Sequence, residues 1–236
     1  MKKELMLFFI RFMFIYTAIM IGFFIAAYSA SADSEKAFGK LRQAVVRLPY
    51  GSGGVVLTPS KKARVITNYH VCLPSADLGN VTVTLQDGTT HVSPIVKLAP
   101  NLDLCLLEPP AHTVPLKLSD RETGRMSHVF NRGYPLGILS ESEGMVLDIQ
   151  KLVFSFQVPY GYPCKRPAID LDNGTHIGCF FEYINQVTSL YSQGGSSGSP
   201  IVNEDGELVG VMQTKHRTEG GGFLPLSAVK QFLKGE

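Results

Sequence analysis

The alternation of apolar and polar positions changes character three times along the chain. From Leu5 to Tyr28 the residues are apolar apart from Arg11, with Lys2 and Lys3 before them and Ala30-Ser31-Ala32 after. A basic start, an apolar middle and a small-residue A-x-A site describe a secretory signal at residues 1–32, cleaved after Ala32. The competing expectation is an uncleaved anchor over residues 5–28, because that run is nearly long enough to span a bilayer. The next stretch, "SEKAFGKLRQ", suits a short helix.

From there the pattern is that of strands. "AVVRLPYGSGGVVLT", "RVITNYHV", "VTVTLQDGTTHVSPIVKLA" and "DLCLLEP" are short apolar or alternating runs broken by Gly, Pro, Asn and Asp. After "KLSDRETGRMS" a second series begins: "HVFNRGYP", "MVLDIQKLVFSFQVP", "CFFEYINQV", "PIVNEDGELVGVMQT" and "GGGFLPLS". Asp-Gly pairs at 87–88 and 205–206 are hairpin signals. Helix returns at the C-terminus, where Ser227 is placed to cap "AVKQFLKG" and Val229, Phe232 and Leu233 share one face. The pattern predicts an all-β protein of two antiparallel six-stranded β barrels and a short C-terminal helix, in a single domain over residues 33–236. No internal repeat is visible.

Composition narrows the function classes. The chain has 236 residues, 44% hydrophobic and 18% charged, as in an ordinary globular protein. Without residues 1–32 its basic and acidic residues are equal in number, which excludes the electrostatic footprint of a nucleic-acid binder. Cys72, Cys105, Cys164 and Cys179 form an even set, which favours disulfides in a secreted chain, and four cysteines allow three pairings. The spacing contains no C-x-x-C pair, so zinc fits poorly and neither metal nor cofactor is expected.

Three segments carry candidate chemistry. "GGSSGSPIV", residues 194 to 202, is a Gly/Ser-rich stretch lying directly against a predicted hairpin, which makes it an ordered turn rather than a linker. With Ser197 as nucleophile, the backbone N–H groups of Gly195 and Ser197 can face the oxygen of a tetrahedral intermediate, glycine at 195 supplying the unusual backbone conformation. Gly198 keeps the far side uncrowded. A serine needs a base, and the base an orienting partner. Of six histidines, His91, His112, His128, His176 and His216 lie in polar or otherwise unsupported contexts, whereas His70 is expected to end the strand "RVITNYH" at a barrel rim. Asp103 is expected inside an apolar strand, where an ionised carboxylate is costly unless hydrogen-bonded; an imidazole N–H would satisfy it, and a turn-capping role with Asn101 is the alternative.

"TNYHV", "DLCLL" and "GSSGSP", in the order His, Asp, Ser, resemble the three signatures of trypsin-like serine proteases. "GSGGVVLT", "VTLQDGT", "RGYPLG" and "GGGFLPLSAVKQFL" narrow the resemblance to the HtrA/Deg branch, from about Ala44 to Leu233. The resemblance implies Ser197 as nucleophile, His70 as general base and then acid, Asp103 as orienting carboxylate, and the Gly195 and Ser197 amides as oxyanion hole. It implies an acyl-enzyme peptidase acting on protein or peptide substrates in a secreted, periplasmic or envelope setting. It also places Tyr191 at the floor of the S1 pocket with Met212, Gln213 and Thr214 facing it. No acidic residue is among them, so a small or medium apolar P1 residue is expected rather than Arg or Lys.

The sequence departs from that branch in places. The barrel and terminal helix use up the chain after Ser197, so regulation by a PDZ domain is expected to be absent. "PCKRPAIDLDNGTHIGC" reads as an inserted hairpin with an Asn-Gly turn, which would pair Cys164 with Cys179. Cys72 and Cys105 lie two residues beyond His70 and Asp103, so a triad that joins the latter would pair the former. Ser199 stands where the branch commonly has a second glycine, and Ser196 where digestive relatives carry an aspartate that pairs with a newly cut N-terminus. Trimming to a defined N-terminus is therefore not expected to switch activity on. The rival expectations are a catalytically silent binding relative and a membrane-tethered quality-control protease.

Overall fold

The structure is a computed structural model that describes residues 2–159, 176–215 and 220–236. It opens with helix α1 (Lys2–Ala44), longer than the short helix expected, since its helical course runs unbroken from the apolar segment into the first strand. Among the described residues no helix is long and apolar enough to cross a membrane.

Strands β1 (Val45–Leu48), β2 (Gly51–Leu57), β3 (Ala63–Thr67), β4 (Asn80–Thr84), β5 (Thr90–Ala99) and β6 (Leu104–Leu107) close into one barrel in the order β1-β2-β3-β6-β5-β4. Strands β7 (His128–Gly133), β8 (Ser140–Pro159), β9 (His176–Thr188), β10 (Pro200–Val202), β11 (Leu208–Lys215) and β12 (Gly221–Pro225) close into the second. Its order, β7-β8-β9-β12-β11-β10, repeats that of the first barrel. The chain thus holds a structural repeat where the sequence displays none. Strand order depends on which backbones pair, and many apolar side chains serve one pairing equally well.

Both Asp-Gly signals sit at hairpins. Gly88 (φ +86°) and Gly206 (φ +71°) take left-handed conformations between β4 and β5 and between β10 and β11. β8 and β9 pair continuously from Asp148↔Val187 to Pro159↔His176, a hairpin far longer than either neighbouring pair. Its Asn-Gly tip and Cys164, with the proposed 164–179 bridge, lie outside the described residues.

Three apolar clusters hold the molecule together. Val46, Val55, Val65, Val83 and Leu107 fill the first barrel, and Val129, Ile201, Val209, Met212 and Phe223 the second. A third cluster joins the barrels to the helices, with Leu41 of α1, Ile66, Leu104, Phe130, Leu208 and Phe232 of helix α3 (Leu226–Phe232). The α3 face of Val229, Phe232 and Leu233 is buried as expected. Ser227, however, lies within the helix and not at its cap, since Pro225 occupies the N-cap and no side chain caps it. A proline there sets the extended backbone that enters the helix, a task that needs no hydroxyl.

Candidate active site

The site lies where the two barrels meet. β3 ends at Thr67, so His70 does not end a strand: it stands in the one-turn helix α2 (Tyr69–Cys72). Its neighbours Tyr69, Val71 and Cys72 are buried while its own side chain is 29% exposed, which fixes the backbone and leaves one edge of the ring to solvent. Asp103 is likewise not inside a strand. It follows a 3₁₀ turn over Pro100–Leu102 in the left-handed conformation (φ 48°, ψ 43°), one residue before β6. Aspartate tolerates that region better than most residues, and the turn rotates its carboxylate out of the alternation of β6 toward α2.

Asp103 is completely buried, and three donors surround its two carboxylate oxygens. His70 Nδ1 lies 3.0 Å from each oxygen, the His70 backbone N–H donates to Oδ1 at 3.1 Å, and Gln213 Nε2 donates to Oδ2 at 2.8 Å. Asn68 Nδ2 also donates to the Asp103 carbonyl at 3.0 Å. A buried carboxylate held by several N–H groups stays ionised without water. It also selects the imidazole tautomer with the proton on Nδ1, leaving Nε2 as acceptor.

Directly behind this pair, Cys72 and Cys105 form a disulfide, both completely buried. It ties α2, which carries His70, to β6, which begins directly after Asp103.

Ser197 reaches the site from the turn before β10. Its Oγ donates to the Gln213 carbonyl at 3.2 Å, so Gln213 touches both the serine, through its backbone, and the carboxylate, through its side chain. Gly195 (φ +94°) and Gly198 (φ +85°) both occupy the left-handed region. A Cβ on Gly195 would collide with the Tyr134 carbonyl, and one on Gly198 with the Ser52 carbonyl and the Thr67 hydroxyl. The crowding around Gly198 is therefore close packing, tighter than the open side expected. Leu136 N–H donates to the Gly194 carbonyl at 2.6 Å, turning that oxygen away. Among the described residues neither the Gly195 nor the Ser197 N–H has an acceptor in the protein.

Ser52 is the residue that sequence reasoning passed over. Its Oγ donates to the Gly195 carbonyl at 2.8 Å and accepts from the Tyr134 N–H at 2.9 Å, while its own N–H donates to the Ser197 carbonyl at 2.8 Å. One hydroxyl on the first barrel thus braces the serine turn of the second. The hint lay in "GSGG", a polar side chain among glycines in an otherwise apolar strand. Ser196 is buried and locally satisfied, its Oγ accepting from the Gln193 N–H at 3.1 Å.

The expected S1 wall is rearranged. Tyr191 is 51% exposed. Met212 is completely buried in the second barrel's core and presents no surface to a ligand. Gln213 is turned inward, with its Oε1 accepting from Asn185 Nδ2 at 2.7 Å. The side chain of Thr214 lies outside the described residues. The cause is an irregularity in β11, whose register with β12 shifts between Met212 and Thr214, so strict alternation does not carry through Gln213.

A family model described as "Trypsin-like peptidase domain" matches residues 51–211. Among curated proteins the chain is 31% identical over 198 residues to the mitochondrial serine protease HTRA2 of Bos taurus, covering 81% of this chain and 37% of the relative. It is 28% identical over 174 residues to a probable periplasmic serine endoprotease, DegP-like, of Chlamydia muridarum, covering 74% and 30%. The chain thus spans about a third of the length of these relatives. Among solved structures, the active form of the Rv3671c protease from M. tuberculosis superposes with a TM-score of 0.64 at 22% identity, covering 84% of this chain and 82% of that one. The serine endoprotease from Yersinia pestis gives 0.60 at 20% identity, covering 85% and 65%.

Proposed function

Because the chain belongs to the trypsin-like peptidase domain family, with HtrA and DegP proteases among its relatives, we propose that it hydrolyses peptide bonds through an acyl-enzyme on Ser197. The observation that carries this is that buried Asp103 is bonded to His70 Nδ1 and, through the side chain of Gln213, to the residue whose carbonyl receives the Ser197 hydroxyl, which draws three distant segments to one place. Ser197 Oγ leaves the Gln213 carbonyl for His70 Nε2, gives up its proton there and attacks the substrate carbonyl carbon. Asp103 stabilises the imidazolium, and the N–H groups of Gly195 and Ser197 donate to the developing oxyanion. The protonated Nε2 then donates to the departing amine, and water, deprotonated by the same nitrogen, cleaves the ester.

The chemistry uses side chains and backbone of this chain alone. Tyr191, the exposed member of the expected S1 set, carries no carboxylate, which supports an apolar P1 residue over a basic one. The names of the DegP-like relatives support an envelope or periplasmic setting. Packing supports the boundary at Ala32: among the described side chains of α1, those at 12–23, 31 and 32 are exposed, and Ser34 donates to Glu143 of the second barrel. Removal of residues 1–32 would leave that contact in place.

A fluorophosphonate probe tests the proposal. It is expected to label the wild type and not Ser197→Ala, and Ser197→Ala, His70→Ala and Asp103→Ala are each expected to lose most casein cleavage without a change in far-UV circular dichroism. Their losses are expected not to add, because the three groups act as one device. Labelling that persists in Ser197→Ala, or an unlabelled wild type, would establish another nucleophile or a silent binding protein.

A further inference from the structure

We propose that Arg47 and the glycine-floored cleft beside Gly195 form a subsite for an acidic side chain on the leaving-group side of the scissile bond. This rests on the proteolytic proposal above and deepens it by naming a class of substrate. The cleft has a volume of about 330 Å³ and is lined by Arg47, Tyr50, Tyr134, Gly137, Gly194 and Gly195, together with the rest of the β1–β2 turn. It opens directly against the glycine assigned to the oxyanion hole, so a peptide seated on Ser197 passes over it.

Which half of the peptide passes there follows from strand pairing. β10 covers one edge of β11 through Pro200↔Val211, and the backbone bonds between the two segments end at Met212, where its N–H donates to the Ser199 carbonyl. From Gln213 onward that edge of β11 has no strand partner among the described residues, and the Ser197 hydroxyl lies at its start. An open strand edge next to a nucleophile is the place where an extended peptide adds as a further strand. The acyl portion occupies it, and the leaving portion is directed the other way, over Gly195 and Gly194 to the β1–β2 turn.

Charge defines what the cleft takes. Arg42, Arg64 and Arg132 each pair with a carboxylate: Glu141 for the first and last, Glu108 for the second. The Arg47 guanidinium has no ion pair or hydrogen bond among the described residues, and no carboxylate lines the cleft. Burial pushes the Tyr134 phenol above its ordinary pKa, while the positive charges of Arg132 and Arg47 work against that shift, placing the Arg47 field inside the cleft. Gly194 adds an independent indication. It has no left-handed φ, and a Cβ there would meet no atom within 4 Å, so neither backbone conformation nor packing within the chain requires glycine. A peptide lying across it does.

The test uses synthetic decapeptides with Val before the scissile bond and Glu, Gln or Lys at one of the three following positions. The wild type is expected to cleave the best-placed Glu peptide about three- to tenfold more efficiently in kcat/KM than its Gln counterpart, the range of a partly exposed charge-assisted pair. In Arg47→Gln that ratio is expected to fall to about one, and in Arg47→Glu the Lys peptide is expected to overtake the Glu peptide. The same ratios are expected in the Kd for Ser197→Ala, read by fluorescence anisotropy, where no chemistry takes place. A wild type indifferent to Glu and Gln, or a Glu preference that survives in Arg47→Gln, overturns the subsite. If Ser197 resists the fluorophosphonate probe while the Kd ratio holds, it is the proteolytic proposal that fails and the acidic subsite that stands.

Discussion

Gln213 shows how much one buried amide can connect. Its Nε2 holds Asp103, its Oε1 is held by Asn185, and its carbonyl receives the Ser197 hydroxyl. Gln213→Leu keeps the approximate volume and removes both side-chain bonds, leaving a buried carboxylate with fewer donors. Hydrogen bonds to charged groups are worth roughly 1.5–3 kcal/mol, so kcat is expected to fall about ten- to a hundredfold with KM little changed. Steady-state kinetics on one peptide checks this; a variant with wild-type kcat would show that Asp103 is positioned by His70 and Asn68 alone. From the sequence Gln213 was placed in a pocket wall, because β alternation in "VMQTK" offers no sign of the bulge that turns it inward. Asp103 itself was found by its oddity, a lone carboxylate among leucines. Its left-handed backbone was hidden, since Asp enters that region only when the surroundings require it.

Among the elements, α2 and β6 are joined by the Cys72–Cys105 bridge immediately behind the His70–Asp103 pair. Cross-linking constrains the unfolded chain, by about 2–4 kcal/mol for loops of this order. The double variant Cys72→Ala/Cys105→Ala is expected to lose that amount in urea unfolding. Both sulfurs are buried, so brief reductant on the folded wild type is expected to leave its melting curve unchanged. The end of α1 is tied to the second barrel by a different device. Glu141 at the start of β8 accepts from Arg42 of α1 and from the buried Arg132 of β7. Burial raises the Glu141 pKa, but the hydrogen bond and charge of Arg42, with the charge of Arg132, outweigh it and hold the pKa below the ordinary Glu value of 4.5. A depressed carboxylate pKa contributes stability that is complete above the ordinary value and lost as pH falls through the folded one. Glu141→Gln is therefore expected to lower stability at pH 7 and to flatten its decline below about pH 4.5. Melting temperatures across pH 3 to 7 on both proteins, roughly, give the comparison, and parallel acid limbs would remove Glu141 as the responsible group.

At the scale of the whole molecule, α1 and α3 close the space between two barrels of the same strand order. Ala37 and Leu41 of α1 are completely buried there, so the last two turns of α1 belong to the core. Leu41→Ala is expected to cost about 2–5 kcal/mol. Proteins starting at Asp33 or at Lys36 keep both residues and are expected to match each other in specific activity, because the Ser196 hydroxyl is already satisfied by Gln193 and awaits no N-terminal charge. Activity confined to one particular starting residue would refute this.

The succession and type of the strands, both Asp-Gly hairpins, the apolar face of the last helix and the candidacy of His70, Asp103 and Ser197 were all legible in the sequence. Each depends on local pattern: period-two burial, turn chemistry, or a polar residue in an apolar run. Tertiary structure alone decided that the barrels repeat one another, that Ser52 of the first braces the serine turn of the second, and that Gln213 faces Asp103 instead of a substrate. It also left Arg47 without a carboxylate in the cleft it shares with Gly195. These are relations between segments tens of residues apart, set by which strands pair and where a register slips by one. A single residue of slip reverses the face of every side chain that follows, and no local pattern records it.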